Sequence, residues 1–311
     1  MSRSPAEEEL LEELRPVAFA IAYRMLGSVA EAEDVVQESL LRFHTAVERG
    51  ERIESPRAYL ATVATRVSID VLRSARVQRE SYVGEWLPEP LVSDSSEDPA
   101  GHTEMADSLS LAFLVLLESL SPEQRAVFLL HDVFDYGYSE VAEIVGKSED
   151  NARQLAARAR RHVEEQKPRY EASREQRDEL AHRFFAAAQE GDVDALEALL
   201  ADDVVLHGDG GGKAPALARA LFGSRRVART LSAWFRQAAK IPQPGVREVE
   251  VNGQPGAVLS AAGAVVAVIA LDIADGRIQG IRSIVNPDKL HHVGPVADVN
   301  ALLRHLRQHR K

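Results

Sequence analysis

The chain has 311 residues, with 48 Asp and Glu against 37 Lys and Arg, for a formal charge of -11. That length holds about two to three domains, and the acidic balance excludes an autonomous nucleic-acid binder with a basic excess. The absence of cysteine excludes disulfides, thiolate zinc sites and thiol redox sensing, and with no apolar run of about eighteen residues and no charged-then-apolar leader the expectation is a cytoplasmic protein without a membrane span.

In chain order, Ser28-Val29-Ala30-Glu31 has capping-box spacing and opens a helix to about Val47, with Val36, Leu40, Phe43 and Val47 on one face. Asp34, Gln37 and Glu38 line a neighbouring polar face, as a docking surface for a basic partner would. A further helix from about Pro56 carries Ala58, Leu60, Val63, Ala64, Val67, Val71 and Leu72, with Arg66, Arg73, Arg76 and Arg79 along and beyond it. From Ser81 to Asp107 there are seven acidic residues and neither Lys nor Arg. Within that stretch Trp86-Leu87-Pro88-Glu89-Pro90 sets a large apolar side chain beside prolines that hold the backbone extended. Trp86 reads as the linker's anchor, either for a regulatory contact or simply on the nearest helical domain.

Ser121-Pro122-Glu123-Gln124 is a strong helix start, with Ser as cap, Pro at the first position and Gln completing a capping box. The helix runs to about Val133. After Gly137, Ser139 is expected to cap a short helix with Val141, Ile144 and Val145 inward, and Gly146-Lys147 makes the turn. Ser148 then caps a helix with Leu155, Ala159 and His162 on its buried face and Asn151, Gln154, Arg158 and Arg161 opposite. This is what a helix-turn-helix needs, with amides and guanidiniums free to reach base edges and phosphates. The alternative is that Arg153, Arg158, Arg160 and Arg161 form only a solvated face.

From about Arg174 the pattern changes. Helices are predicted over Glu175–Gln189, Asp192–Leu200 and Ser224–Ala239, a short strand over Asp203–His207, and strands over Val246–Val251, Ala257–Ala261, Ala264–Ile273 and Ile278–Val285. Asn252-Gly253 and Asp275-Gly276 read as hairpin turns. Helices followed by a curled antiparallel sheet describe an α+β cone. His207, Asp209, His182 and Asp272 are its candidate acid–base groups, although no second acid is placed to complete a site. Asp209-Gly210-Gly211-Gly212-Lys213 lacks the spacing and ending of a phosphate-cradling loop and reads as a mobile contact loop. From His291 to Lys311 the tail is basic, with Val299, Leu302, Leu303 and Leu306 at helical spacing, and it is expected either to dock near the N-terminal domain or the acidic linker or to be a loose tail.

Three stretches, Ala32–Glu38, Pro56–Leu60 and Asp70–Arg73, resemble the sigma-70 family of RNA polymerase sigma factors in its extracytoplasmic-function group. The resemblance implies two all-α domains, residues 1–80 and 108–167, joined by an acidic linker, 81–107. It implies as partners promoter DNA and core RNA polymerase through its β′ coiled coil and β subunit. Asp34, Gln37 and Glu38 would dock on that coiled coil. Tyr59, Arg66, Arg73, Arg76 and Arg79 would melt and read the minus-ten element, and Ser148, Asn151, Arg153, Gln154, Arg158 and Arg161 the minus-thirty-five element. For Arg66 an ion pair with Asp70 is the alternative, and for Tyr59 a place in the core.

The segment 174–290 resembles the SnoaL-like cone of polyketide cyclases and ketosteroid isomerases. Trp86-Leu87-Pro88-Glu89-Pro90, Asp209–Lys213 and Asn286-Pro287-Asp288-Lys289-Leu290 together resemble the sigma factors that carry such a cone as a fused extension. The implied function is a sigma factor, not an enzyme, regulated in cis by contacts of its cone with the sigma domains through Trp86, Asp209, Gly210, Gly211, Gly212, Lys213, Asn286, Pro287, Asp288, Lys289 and Leu290, with 291–311 as a basic tail. No metal or cofactor is expected, and the cone's small ligand, if it takes one, is unknown. The alternative is a DNA-binding regulator fused to a ligand-sensing or isomerase-type cone.

Overall fold

A computed structural model of the chain describes residues 5–93, 108–165 and 173–308. They divide into two compact units, Met1–Glu80 with Leu114–Lys167, and Ser81–Phe113 with Pro168–Lys311. Residues 94–107 of the predicted acidic linker, and Arg310 and Lys311 of the tail, lie outside the described residues. No helix among the described residues is long and apolar enough to cross a membrane.

The first unit opens with α1 (Pro5–Leu26), α2 (Val29–Glu48) and α3 (Pro56–Glu80). The Ser28 hydroxyl accepts from the Glu31 amide at 3.2 Å, so the cap forms where the spacing places it. Ile21 and Met25 of α1, Val35, Val36 and Phe43 of α2, and Leu60 and Ala64 of α3 are buried. Val47, predicted inward, is 42% exposed. The buried stripe of α2 continues instead through Ala46, three residues beyond Phe43 rather than four.

The helix-turn-helix follows α4 (Leu111–Leu117) and comprises α5 (Pro122–Phe128), α6 (Tyr138–Val145) and α7 (Glu149–Glu164). Ser121 and Gln124 exchange both bonds of a capping box, at 3.2 and 3.0 Å. The predicted run to Val133 is completed by a π turn, Leu129–Val133. The cap of α6 is Gly137, whose amide donates to Glu140 Oε2 at 3.0 Å, so Ser139 lies inside the first turn and is not the cap. Ser148 does cap α7, accepting from the Asn151 amide at 3.3 Å. The buried stripe of α7 is Ala152, Ala156, Ala159 and Val163, small residues that admit close packing. Leu155 and His162, predicted buried, flank it half-exposed.

A buried guanidinium ties these helices to α1. Arg125 is 2% exposed and donates to the Leu117 carbonyl (2.9 Å), the Met25 carbonyl (2.5 Å) and Glu118 Oε1 (2.7 Å). Burial lowers its pKa to about 9, a sign of the desolvation that these three acceptors must offset.

The second unit is built on one sheet of order β1-β4-β5-β6-β7-β2-β3. Its strands are β1 (Val92–Ser93), β2 (Leu200–Asp209), β3 (Leu221–Phe222), β4 (Pro244–Val251), β5 (Gln254–Ala261), β6 (Ala264–Ala274) and β7 (Arg277–Ile284). The sheet is mixed rather than wholly antiparallel as expected, because β2 runs parallel to β7, with Leu206 opposite Ile281. Asn252-Gly253 and Asp275-Gly276 both take positive φ at both positions, as two-residue hairpins require, and Ala262-Gly263 does the same. α8 (Arg174–Glu190), α9 (Val193–Leu199) and α10 (Ser224–Ala238) pack on the sheet, and Phe184, Phe185, Leu196, Val227, Leu231, Ile269, Leu271 and Ile281 fill the core between them. The tail forms α11 (Val299–Gln308). Its approach is fastened to the cone itself: Val265 N donates to Pro295 O at 2.6 Å, Ala297 N to Val265 O at 2.8 Å, and Asn300 Nδ2 to Lys213 O at 2.6 Å.

Replacing Arg125 with Met takes the guanidinium away from half-buried Glu118 and from the Met25 carbonyl, and leaves the Leu117 carbonyl with the Leu120 amide alone. A loss of about 3–5 kcal/mol is expected, read as a fall in the urea midpoint of the first unit. An unchanged midpoint would show that Arg125 does not hold it together.

Candidate functional site

β2 ends on Asp209, a carboxylate with no exposure to solvent. Its Oδ1 accepts from the Tyr82 hydroxyl at 2.5 Å and the Gly211 amide at 3.0 Å. Its Oδ2 accepts from the Leu87 amide at 2.8 Å and from Lys289 Nζ at 2.7 Å. Lys289 also donates to the Leu87 carbonyl and lies 4.3 Å from the centre of the Trp86 ring and 5.0 Å from that of Tyr82. Asn286 Nδ2 donates to the Tyr82 hydroxyl at 2.9 Å. Burial, then the Asp209 carboxylate, push the Tyr82 phenol well above its ordinary range, so it serves as a neutral donor.

The glycine run is explained by what lies against it. A side chain on Gly211 (φ +57) would fall inside the Asn286 amide, and one on Gly212 (φ +71) would meet Val83 Cβ at 3.0 Å. Lys213 pairs with Asp288, closing the loop onto the segment Asn286–Leu290. Beyond the carboxylate, Glu85 bonds His207 at 2.6 Å, Pro90 O bonds His292 Nε2 at 2.7 Å, and the Leu91 amide donates to Asn252 Oδ1 at 2.8 Å. β1 then extends the sheet along β4, pairing Val92 with Val251. Residues 82–93 are thus a strap laid on the cone.

Of the three sequence motifs, all converge here. The anchor is Leu87, 1% exposed, whereas Trp86 stays half-buried and covers the Lys289 ammonium. Tyr82 and Leu87 escape sequence reasoning. An apolar residue between Trp86 and Pro88 was a usable signal for Leu87, but Tyr82 stands outside any motif.

The acid–base candidates of the cone do not share a site. Asp209 ends the strand inside the clamp, His207 bonds Glu85, and His182 is exposed beside Glu248 at 3.0 Å. Asp272 pairs with Arg282 and alternates with Leu271 and Ile273, which belong to the core, so it points to the sheet's other face. A cleft of about 400 Å³ lined by Glu179, Arg183 and Asp275 contains none of them. Among the described residues no group of three or more acids and histidines could hold a metal.

In the first unit Asp34 and Gln37 are exposed and Glu38 is half-buried, bonded to Arg42 at 2.7 Å. Asn151, Gln154, Arg158 and Arg161 are all exposed on α7, within an arc of about 80° at 3.6 residues per turn. Other predicted DNA-contacting residues are engaged elsewhere. Arg66 does not pair with Asp70 but donates to the carbonyls of Ile144 and Glu143, each at 2.9 Å, and so caps the end of α6. Arg73 bonds Glu123 at 2.6 Å and Asp70 at 3.4 Å. Arg153 bonds Glu149 at 2.5 Å and lies over Tyr138, and Arg160 is held by Asp132 at 2.6 Å. Tyr59 packs edge-on against Phe43, with ring centres 5.8 Å apart, which favours its place in the core. Arg76 and Arg79 lie on the α3 backbone, but their side chains are outside the described residues.

The model for sigma-70 region 2 matches residues 10–77 and that for sigma-70 region 4 matches residues 110–163. The chain is 38% identical over 291 residues to the ECF RNA polymerase sigma factor SigJ of Mycobacterium tuberculosis, covering 89% of this chain and 91% of that one. It is 33% identical over 274 residues to the probable sigma factor SigI of the same species, covering 87% and 90%. The crystal structure of Mycobacterium tuberculosis SigJ superposes with a TM-score of 0.74 at 36% identity, over 93% of this chain and 99% of that one.

Asp209→Ala removes the shared acceptor of a buried ammonium, a phenol and two amides. It is expected to destabilise the second unit by about 3–5 kcal/mol and to expose the Leu87 amide to hydrogen exchange. Asp209→Leu combined with Lys289→Met should recover part of the stability without restoring Leu87 protection. Equal protection of Leu87 in the natural chain and both variants would remove the carboxylate from its place at the centre of the strap.

Proposed function

Because the chain belongs to the extracytoplasmic-function group of sigma-70 RNA polymerase sigma factors, and so directs core polymerase to promoters, we propose that its cone regulates that activity in cis. The observation that carries this reading is the Asp209 clamp. α3 ends at Glu80 and the strap begins at Tyr82, so the segment the cone grips is the direct continuation of the helix bearing Arg66 and Arg73. Residues 1–80 act in polymerase docking and at the minus-ten element, 108–167 at the minus-thirty-five element, and 174–290 in regulation through the 81–107 linker.

Asp34, Gln37 and Glu38 dock on the β′ coiled coil, with Asp34 and Gln37 exposed for it. Arg158 contacts a base edge and Arg161 a phosphate; both are exposed on the recognition helix. Arg66 and Arg73 play their promoter role only after leaving their present partners. Elements about 25 base pairs apart are separated by roughly 85 Å of straight duplex, whereas Arg66 on α3 is bonded at 2.9 Å to the end of α6. Reading both elements at once therefore requires these bonds to break, and the strap is a means of controlling when they do.

Two measurements test the reading. Reversing Asp34 and Glu38 to Lys should abolish binding to core polymerase while helicity is retained, since attraction becomes like-charge repulsion; undiminished binding would remove this docking surface. Gly212→Val, which pushes Val83 off the cone, should raise promoter-dependent transcription several-fold with core binding unchanged. Deleting residues 291–311, which removes the His292 tie to Pro90, should act in the same direction. Transcription at the natural rate by both would end the proposal of regulation in cis.

A further inference from the structure

Helix α10 carries a feature that neither the core nor the strap uses. Val227, Ala228, Leu231, Ser232 and Phe235 form its buried side. Arg226, Arg229, Ala233 and Arg236 are exposed on the opposite side, within about 80° of arc at 3.6 residues per turn, and Lys240 extends the row just beyond the helix end. From Arg226 to Arg236 the row is about 15 Å long at 1.5 Å per residue. Among the described residues, none of Arg226, Arg229 and Lys240 has an acidic partner, and Arg236 bonds only the Ser232 carbonyl of its own helix, at 3.3 Å. Arg225, on the flank, differs: it is held by Asp194 at 3.1 Å and Glu197 at 2.5 Å.

The placement is locally unfavourable. The first turn of α10 has no acid, its cap Gly223 offers no side chain, and Arg226 sits at the positive end of the helix dipole. Unpaired cations there are not explained by helix stability, and they occur on a chain of charge -11. A row of four cations along one side of a helix, broken only by the small Ala233, fits a partner of regular negative charge and little shape specificity. Duplex DNA presents one charge per about 1.7 Å of axis.

We propose that the exposed row Arg226, Arg229, Arg236 and Lys240 is a second DNA contact of this chain, taking the phosphate backbone of promoter duplex without reading its sequence. The contact would place the cone on the nucleic acid once the sigma domains have engaged it, and so it rests on the sigma reading, which brings the chain to DNA. Guanidiniums spaced by a helical turn take phosphate oxygens singly or in pairs, and the released counterions supply the affinity.

The test uses the full chain in holoenzyme with core polymerase, on a promoter duplex titrated with salt. Arg226, Arg229, Arg236 and Lys240 are replaced together by Gln. The expected result is a salt slope (log K against log salt) shallower by about 3 to 4, with tenfold or greater loss of affinity at moderate salt, equal across flanking sequences, and with core binding unchanged. Arg225→Gln should leave the slope as it is. An unchanged slope in the fourfold variant overturns the proposal, and an unchanged slope with weakened core binding assigns the row to a protein partner instead. Failure of the natural holoenzyme to prefer promoter over random duplex would count against the sigma reading and not against this one.

Discussion

A carboxylate shut off from water cannot stay ionised alone, and Asp209 draws its four donors from three separate parts of the chain. Each of those parts is costly to withdraw. Removing Tyr82 and Leu87 leaves the carboxylate with the Gly211 amide and Lys289, while removing Lys289 leaves the charge without its counter-ion. The strap, the glycine loop and the Asn286–Leu290 segment are therefore one cooperative element. That cooperativity lets a short extended stretch lie on a cone with few buried apolar residues of its own, Leu87, Pro88 and Pro90. It also seats β1 along the edge of β4, which would otherwise present unpaired backbone groups.

The first unit solves the complementary problem, the burial and capping of cations. Arg125 reaches the carbonyl of Met25 near the end of α1, and Arg66 reaches two carbonyls at the end of α6. Helix C-termini carry unsatisfied carbonyls and partial negative charge, so a planar guanidinium is suited to both places. These bonds join segments far apart in sequence. Contacts of that kind are specific in geometry and reversible when a better anion competes.

Local features were legible in the sequence. Ser28, Ser121 and Ser148 cap where their spacing puts them, and Asn252-Gly253 and Asp275-Gly276 turn as hairpins because short-range sterics decide both. The convergence of the three motifs was readable only as a resemblance. What stayed hidden was non-local: the parallel pairing of β2 with β7, and strands β1 and β3, which are two residues long and exist only because a neighbour offers an edge. Gly137 displaced Ser139 as a cap because Glu140 takes the free amide from within the helix. Nothing in Arg66 reveals that its partners lie 77 and 78 residues away.

Sorting the arginines by what they touch separates structure from recognition more sharply than charge counting does. Arg66 is committed to carbonyls and Arg125 to carbonyls and the Glu118 carboxylate, while Arg73, Arg153, Arg160 and Arg225 are committed to carboxylates. Arg158 and Arg161 on α7, and Arg226 and Arg229 on α10, are exposed with no acidic partner among the described residues. On an acidic chain nearby carboxylates are abundant, and an ion pair forms readily when geometry permits. Leaving these cations unpaired on two separate helical faces keeps their donors available to an external anion. The DNA contacts proposed above then fall on two narrow faces of a chain whose overall charge is negative, so that nonspecific attraction elsewhere on its surface is small.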